Sequence, residues 1–191
     1  MAFELVVIGT SLGGFHALPV ILGALPKDFP LPIVIVQHRG VEFSESGGLR
    51  VYLQRYSLLP VHEVEDKQSI EPGLVYLCPA DYHLLVEKGR FSLSIEGPNL
   101  AARPSIDVLF ESAAESYGSK TVAIVLTGAS EDGARGLARI KERGGVVVVQ
   151  APETAQCGVM PRAAIAATGT ERIFSLEEIA RFLVSVTYQP K

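Results

Sequence analysis

The sequence predicts an α/β fold: a doubly wound, mainly parallel sheet with helices on both faces and an antiparallel hairpin at one edge. The prediction rests on the order of two kinds of segment along the chain. Short apolar runs rich in valine and isoleucine alternate along the chain with longer segments in which apolar residues recur at helical spacing. Neither a repeat nor a Ser/Pro-rich linker interrupts the alternation, so we expect residues 1–191 to form a single domain.

Five apolar runs are typical of strands buried on both faces, because they are short and end at polar or glycine residues. They are residues 5–8, 33–37, 75–78, 122–126 and 146–150. Five segments with helical spacing of apolar residues predict helices at 15–25, 46–55, 105–116, 131–143 and 176–186. Residues 83–88 and 91–95 alternate apolar and polar side chains around Gly89-Arg90, which predicts the hairpin.

Composition and charge exclude several classes of protein. Hydrophobic residues make up 48% of the chain and charged residues 20%, which argues against disorder. The net charge of −4, without a Lys/Arg stripe, gives no support for binding nucleic acid or a membrane surface. No apolar run approaches the ~20 residues that span a bilayer, and no basic region of a signal peptide precedes the first strand. We therefore expect a cytoplasmic protein without membrane insertion, whose cysteines, Cys78 and Cys157, are reduced.

The first predicted strand ends in a glycine-rich turn that contains a serine. Residues 9–13 read Gly-Thr-Ser-Leu-Gly and match the pattern G-x-S-x-G between a strand and a helix. Glycines on both sides permit a tight bend, so that the Ser11 hydroxyl can project from the end of the sheet beside backbone N–H groups. This is a position suited to a nucleophile.

Two further polar residues follow other predicted strands. His38 comes directly after the strand at 33–37, and Asp132 lies in the loop after the strand at 122–126. Open α/β sheets bind ligands outside the carboxyl ends of their parallel strands. A serine becomes a good nucleophile when a neutral imidazole takes its proton and a carboxylate orients that imidazole. Ser11, His38 and Asp132 can fill these three roles.

The order of these residues distinguishes the chain from an α/β-hydrolase, where the histidine comes last. All four histidines precede Asp132, and Ser11 follows the first strand. Among the histidines, His16 falls inside the first predicted helix, and His62 and His83 lie beside the irregular middle region. His38 alone follows a buried parallel strand, so it is the preferred base.

Each of these features has another interpretation. Asp132 or Ser130 can serve only to cap the following helix. Residues 9–14 also resemble the dinucleotide-binding pattern G-x-G-x-x-G with serine in place of the middle glycine. No acidic residue stands where that motif requires one after the second strand, so nucleotide binding is the weakest alternative.

Together these segments resemble the catalytic domain of the chemotaxis protein-glutamate methylesterase family, CheB. The resemblance covers nearly the whole chain. Its blocks are Val-Ile-Gly-Thr-Ser-Leu-Gly-Gly at 7–14, Ile-Val-Gln-His at 35–38, Pro-Gly-Leu-Val-Tyr at 72–76, Arg-Pro-Ser-Ile-Asp at 103–107, Leu-Thr-Gly at 126–128 and Asp-Gly-Ala at 132–134, with Val149-Gln150 and Met160-Pro161 beyond them.

The resemblance implies hydrolysis of glutamate methyl esters on the cytoplasmic region of chemoreceptors, with release of methanol, and deamidation of receptor glutamines as a related activity. It implies Ser11 as the nucleophile, His38 as the general base and Asp132 as the residue that orients His38. It implies neither a metal nor an organic cofactor. The family usually carries an N-terminal receiver domain, and since the first strand begins almost at Met1, we expect no receiver within these residues.

Two departures from the family motifs keep other functions open. Leu12 stands where the family often has threonine, and Ala129-Ser130 stands where it often has Met-Gly. One alternative is a non-catalytic receptor or signalling interaction module of the same fold. Another is a serine esterase for small carboxylic esters. The oligomeric state is not predicted by the sequence.

Overall fold

The computed structural model of the protein describes residues 3–38, 48–97 and 102–187. The strands in these ranges are β1 Leu5–Thr10, β2 Ile33–Gln37, β3 Val61–Glu63, β4 Val75–Leu77, β5 His83–Glu87, β6 Arg90–Ser94, β7 Thr121–Val125, β8 Val146–Gln150 and β9 Ile173–Phe174. The helices are α1 Gly14–Gly23, α2 Gly48–Gln54, α3 Ile106–Tyr117, α4 Ala134–Glu142, α5 Val159–Thr168 and α6 Leu176–Thr187.

Seven strands form one sheet in the order β3-β4-β2-β1-β7-β8-β9. Neighbouring strands in this sheet pair in parallel throughout. Strands β2, β3 and β4 lie on one side of β1, and β7, β8 and β9 lie on the other side. The carboxyl ends of β1 and β7 therefore border the crevice where sheets of this type bind ligands.

Two apolar cores cover the faces of this sheet, as predicted for a doubly wound fold. In β1, Leu5 and Val7 pack into one core, together with residues of α3, α4 and α5. Val6 and Ile8 pack into the other core, with residues of α1, α2 and α6. Successive side chains of a strand point to opposite faces, so a strand buried on both faces is apolar throughout. The fold class predicted from the sequence is confirmed.

The predicted hairpin is present, but it does not lie at an edge of the main sheet. Strands β5 and β6 form a separate antiparallel pair. The edge next to β4 is occupied by β3, so the hairpin instead packs Leu84, Val86 and Phe91 into the core below α3. Ser112 and Ser116 of α3 bond the N–H and the C=O of Val86. The hairpin therefore belongs to the layer of helices.

Three elements were not predicted from the sequence, and the boundaries of others differ. Strands β3 and β9 contain three and two residues, which is too short for a recognisable pattern. Helix α5 has Pro161 near its start and a run of small residues, which blur the helical spacing. Helix α4 starts at Ala134 rather than at residue 131. Of the helix predicted at 46–55, residues 46–47 lie outside the described residues.

Gly136 allows α3 and α4 to approach closely, and this contact gives a stability prediction. A Cβ at Gly136 would lie 2.6 Å from the Cβ of Phe110 and 2.9 Å from the carbonyl oxygen of Asp107. We expect Gly136→Ala to lower the free energy of unfolding by about 1–3 kcal/mol in urea denaturation, because the helices must move apart. Gly48→Ala is the matched control, since a Cβ there meets none of the described residues within 4 Å. Equal stability of the two variants would contradict the prediction.

Candidate active site

The three residues singled out in the sequence lie at the carboxyl edge of the sheet. Ser11 follows β1, His38 follows β2, and Asp132 lies between β7 and α4. The register pairs Thr10 with Gln37, so Ser11 and His38 are the next residues on two neighbouring strands, which run ~4.8 Å apart. The structure therefore brings residues of three separate loops to one place.

The loop after β7 holds the turn that carries Ser11. Thr127 O accepts hydrogen bonds from the Ser11 N–H at 3.0 Å and from the Thr10 hydroxyl at 2.9 Å. The Thr127 hydroxyl donates to Leu12 O at 2.8 Å. Gly13 has a φ of 93°, in the left-handed region that disfavours other residues, and this sets the sharp entry into α1. Hydrogen bonds to Thr127 thus hold Ser11 and its two neighbours, Thr10 and Leu12, in place.

The segment before α5 also borders the loop that contacts the turn carrying Ser11. Gly128 N–H donates to Cys157 O at 3.0 Å, and Met160 N–H donates to Gly128 O at 3.0 Å. A Cβ at Gly128 would lie 2.9 Å from the Cβ of Ser11 and would collide with the Met160 sulfur. Only glycine fits here, and the sequence motif around it gave no signal for this contact.

Some backbone donors near Ser11 are unused in the part of the chain that the structure describes. Within the described ranges, the N–H groups of Leu12 and Ala129 have no hydrogen-bond acceptor. The Ser11 hydroxyl likewise makes no hydrogen bond there, and the side chain is only partly buried. A hydroxyl next to free backbone N–H groups matches the arrangement in which a carbonyl substrate is attacked and its oxygen stabilised.

His38 and Asp132 form a short hydrogen bond. The His38 Nε2 atom lies 2.7 Å from Oδ2 of Asp132, whose side chain is fully buried, while that of His38 is 14% exposed. A carboxylate can only accept, so an ionised Asp132 requires the proton of a neutral His38 to sit on Nε2. The Nδ1 lone pair is then free to accept a proton from a neighbouring hydroxyl.

The Asp132 carboxylate also occupies the N-terminus of α3. It accepts hydrogen bonds from Ile106 N–H at 2.6 Å, from Asp107 N–H at 3.0 Å and from the Ser105 hydroxyl at 2.9 Å. Burial by itself raises the pKa of Asp132, but the bonds from His38 and from the two N–H groups hold this pKa below its ordinary value. The N-terminus of α3 therefore keeps Asp132 ionised and fixed in position.

Asp107 caps the N-terminus of α4, as Asp132 caps that of α3. Its Oδ1 accepts from Gly133 N–H at 3.0 Å and from Gly136 N–H at 2.7 Å, at the start of α4. Asp132 precedes α4 and caps α3, whereas Asp107 belongs to α3 and caps α4. The two helices thus exchange caps. The capping role considered for Asp132 exists, but it is directed at the other helix and does not prevent contact with His38.

The lowered pKa of Asp132 predicts a pH-dependent contribution to stability. A carboxylate whose pKa falls on folding contributes stability that is complete above its unfolded pKa of about 4, and this stability is lost as the pH falls through the folded pKa. We expect the unfolding free energy of Asp132→Asn to lie below that of the wild type at pH 6 and to approach it below pH ~4. The pKa of Asp107 is raised, mainly by burial and also by the charge of Asp132, so Asp107 acts with the opposite sign, and less strongly in the variant. Urea denaturation across this range measures the difference, and a gap independent of pH would contradict the prediction.

The remaining histidines lie apart from this pair. His16 is exposed on α1, and His62 is exposed on β3 beside the ring of Tyr76. His83 is buried in β5, where its Nδ1 accepts from Ser105 N–H at 3.2 Å. Among the described residues, none of the three bonds to Ser11 or Asp132, which agrees with the preference for His38.

Comparison with known proteins gives the family. A model of the CheB methylesterase family matches residues 6–183. A relative from Leptospira interrogans, whose name refers to protein-glutamate methylesterase and protein-glutamine glutaminase, is 48% identical over 185 residues, which make up 96% of this chain and 95% of that protein. The protein-glutamate methylesterase/protein-glutamine glutaminase 1 of Carboxydothermus hydrogenoformans is 43% identical over 93% of this chain, which spans 53% of that longer protein.

A solved structure supports the same assignment. The CheB methylesterase catalytic domain of Thermotoga maritima superimposes with a TM-score of 0.90 at 36% sequence identity, covering 97% of this chain and all of that one. Within the described ranges, no helix combines the length and the apolar character that a membrane span requires. The match of a family model to most of the chain, together with these relatives, means that the protein belongs to the CheB methylesterase family.

Proposed function

We propose that this protein hydrolyses glutamate methyl esters in a protein substrate and releases methanol. Ser11 acts as the nucleophile, His38 as the general base and Asp132 as the residue that orients His38. The observation that carries the proposal is the 2.7 Å bond between His38 Nε2 and the buried Asp132, because His38 and Ser11 both directly follow the paired residues Gln37 and Thr10. The methylesterase names of relatives that align over most of this chain support the choice of substrate.

The first half of the reaction transfers the glutamyl group to the enzyme. Ser11 Oγ attacks the ester carbonyl carbon while His38 Nδ1 takes the hydroxyl proton. Asp132 stabilises the resulting imidazolium. The N–H groups of Leu12 and Ala129 are donors for the oxygen that becomes negative, and one such donor contributes about 3–4 kcal/mol to the transition state. The C–O bond to the methoxy group then breaks, His38 protonates the leaving oxygen, and methanol departs.

The second half returns the enzyme to its starting state. His38 takes a proton from water, and the water oxygen attacks the carbonyl carbon of the acyl-enzyme. When the bond to Ser11 Oγ breaks, His38 gives its proton to that oxygen. The products are a glutamate side chain and free Ser11. A glutamine substrate follows the same steps with ammonia as the leaving group, which accounts for the glutaminase activity in the names of the relatives.

The substrate we propose is the methylated cytoplasmic region of a chemoreceptor, and this places the protein in the cytoplasm. The nucleophile is presented at an open sheet edge, beside Leu12 with 52% of its surface exposed and Phe15 with 38%. Such a site admits a side chain carried on a protein surface. The net charge of −4 gives no reason to expect nucleic acid as a partner.

The same contacts bear on the alternatives. A non-catalytic interaction module has no need of an imidazole held in one tautomer by a buried carboxylate. The replacement of threonine by Leu12 leaves the backbone N–H of that residue in place. An esterase for small esters uses the same three residues and is distinguished only by its substrate.

Methanol release from a methylated receptor fragment tests the proposed function directly. The expected result is one methanol for each methyl ester lost, measured together with the mass of the fragment. Turnover of small carboxylic esters with none of the methylated fragment would replace the proposal with the small-ester esterase. Tight binding of the fragment without any turnover would replace it with the interaction module.

A further inference from the structure

The hydrogen-bond ladder between β1 and β2 stops at the nucleophile turn. At its start, Val6 N–H donates to Pro32 O at 3.0 Å. At its end, His38 N–H donates to Thr10 O at 3.0 Å. In this parallel register the next rung would run from Leu12 N–H to His38 O. That rung is missing, because the chain turns away and Leu12 N–H has no acceptor in the described part of the chain.

The side chain of Gln37 replaces the missing rung. Its Nε2 donates to Ser11 O and to His38 O, both at 2.8 Å. Two carbonyl oxygens can only accept, so they identify the NH₂ end of the amide without ambiguity. One side chain therefore joins the backbone of the proposed nucleophile to the backbone of the proposed base.

This arrangement has a cost in folding free energy. Gln37 is 4% exposed, and its Oε1 is buried without a hydrogen-bond partner among the described residues. The neighbouring Thr10 hydroxyl donates to Thr127 O instead, and a Cβ at Gly14 would collide with Oε1. A buried acceptor left unpaired lowers stability, so it calls for an explanation other than stability.

We propose that Gln37 is a positioning residue for the reaction at Ser11. It sets the distance between Ser11 and His38 by holding both of their carbonyl groups. It also satisfies His38 O, so that Leu12 N–H remains free to face the negative oxygen of the tetrahedral intermediate. The chemical step in this inference rests on the proposed function, while the contacts that carry it do not.

The test compares Gln37→Met with Gln54→Met. Methionine has a similar length but no donor or amide oxygen, so it removes both bonds and the unpaired acceptor while filling the space. Gln54 makes the same kind of bridge, donating from Nε2 to Ser57 O and to Leu59 O at 3.2 Å, and it lies before β3 at the opposite end of the strands. Unlike Gln37, Gln54 also accepts the Val61 N–H at 2.9 Å through Oε1, so its variant loses one hydrogen bond more and still controls for the loss of a carbonyl bridge.

Two readouts are measured on the folded fraction of each protein. The first is methanol release from a methylated receptor fragment. The second is the labelling rate of Ser11 by a fluorophosphonate, in which an Oγ–P bond forms, fluoride leaves and His38 takes the proton. We expect Gln37→Met to lower kcat and the labelling rate by about 10²-fold with KM nearly unchanged, since a small displacement of reacting groups has an effect of this size. Gln54→Met should match the wild type in both.

The possible outcomes separate this inference from the proposed function. The role of Gln37 would be overturned if Gln37→Met kept the wild-type kcat and labelling rate. It would also be overturned if Gln37→Met and Gln54→Met lost equal amounts of both. A wild type that is labelled but releases no methanol would overturn the methylesterase proposal, while slower labelling of Gln37→Met would still support the role of Gln37. If the wild type neither released methanol nor was labelled, Ser11 would be excluded as a nucleophile, and the positioning role of Gln37 would be excluded as well.

Discussion

Replacing Ser11 with alanine should reduce methanol release from a methylated receptor fragment by about 10⁴-fold or more. The substitution removes the atom that would bond to the substrate. Within the described residues the Ser11 hydroxyl makes no hydrogen bond, so the fold does not depend on it. The thermal unfolding temperature should stay close to that of the wild type. Methanol release measured with the fragment in excess gives the loss in kcat, and single-turnover release with the enzyme in excess gives the loss in the chemical step.

Ser185→Ala is the matched control for this prediction. Ser185 is exposed on α6, and among the described residues its hydroxyl bonds only to Phe182 O of the same helix. This variant should release methanol at the wild-type rate. Ser11→Ala should still bind the methylated fragment, because it keeps the surface around the nucleophile. Undiminished release by Ser11→Ala would exclude Ser11 as the nucleophile.

Replacing Asp132 with asparagine should lower kcat by about 10⁴-fold, because an amide accepts through one oxygen only, whereas both carboxylate oxygens of Asp132 accept hydrogen bonds. The NH₂ group of the asparagine would face either the Nε2 proton of His38 or the N–H groups of Ile106 and Asp107. With the NH₂ group facing Nε2, the neutral imidazole would carry its proton on Nδ1. The proposed mechanism requires a lone pair on that atom to accept the Ser11 proton. Stability should fall as well, by about 1–3 kcal/mol, because the cap of α3 is weakened.

Rates per folded molecule separate these two effects. Glu178→Gln is the control, since Glu178 accepts the Ser175 N–H at 2.8 Å at the start of α6 and has a lowered pKa without a histidine partner. It should keep wild-type activity. If Asp132→Asn, corrected for its folded fraction, kept the wild-type kcat, Asp132 would be a structural cap only.

The alternation of apolar runs and helical segments was enough to predict the fold class, because every strand at the centre of the sheet is buried on both faces. The hairpin was predicted but misplaced. Its position depends on β3, a strand of three residues whose pairing with β4 leaves no pattern in the sequence. Helix α5 was missed because local spacing could not distinguish it from a loop of small residues.

For the proposed site, position after a strand was the signal that predicted Ser11, His38 and Asp132 at one edge of the sheet, since parallel strands deliver such residues there. The supporting contacts were not predictable in this way. Asp132 meets Ile106 across 26 residues of chain, and the turn at Ser11 meets Thr127 across more than a hundred. In the sequence, Gln37 is the polar end of a buried strand, and the role proposed for it depends on the break in the hydrogen-bond ladder between β1 and β2.

The exchange of caps between α3 and α4 limits how this enzyme can diverge. Each carboxylate serves a helix that starts about 26 residues away in the chain, so neither loop can change length by itself. One residue inserted between β7 and Asp132 would break two contacts at once. Asp132 would lose its bonds to the N-terminus of α3, and the Gly133 N–H would lose its bond to Asp107. Variation in specificity therefore has to come from surfaces outside this pair, such as Leu12 and Phe15. In protein engineering, the paired helix starts are best kept as one transferable unit.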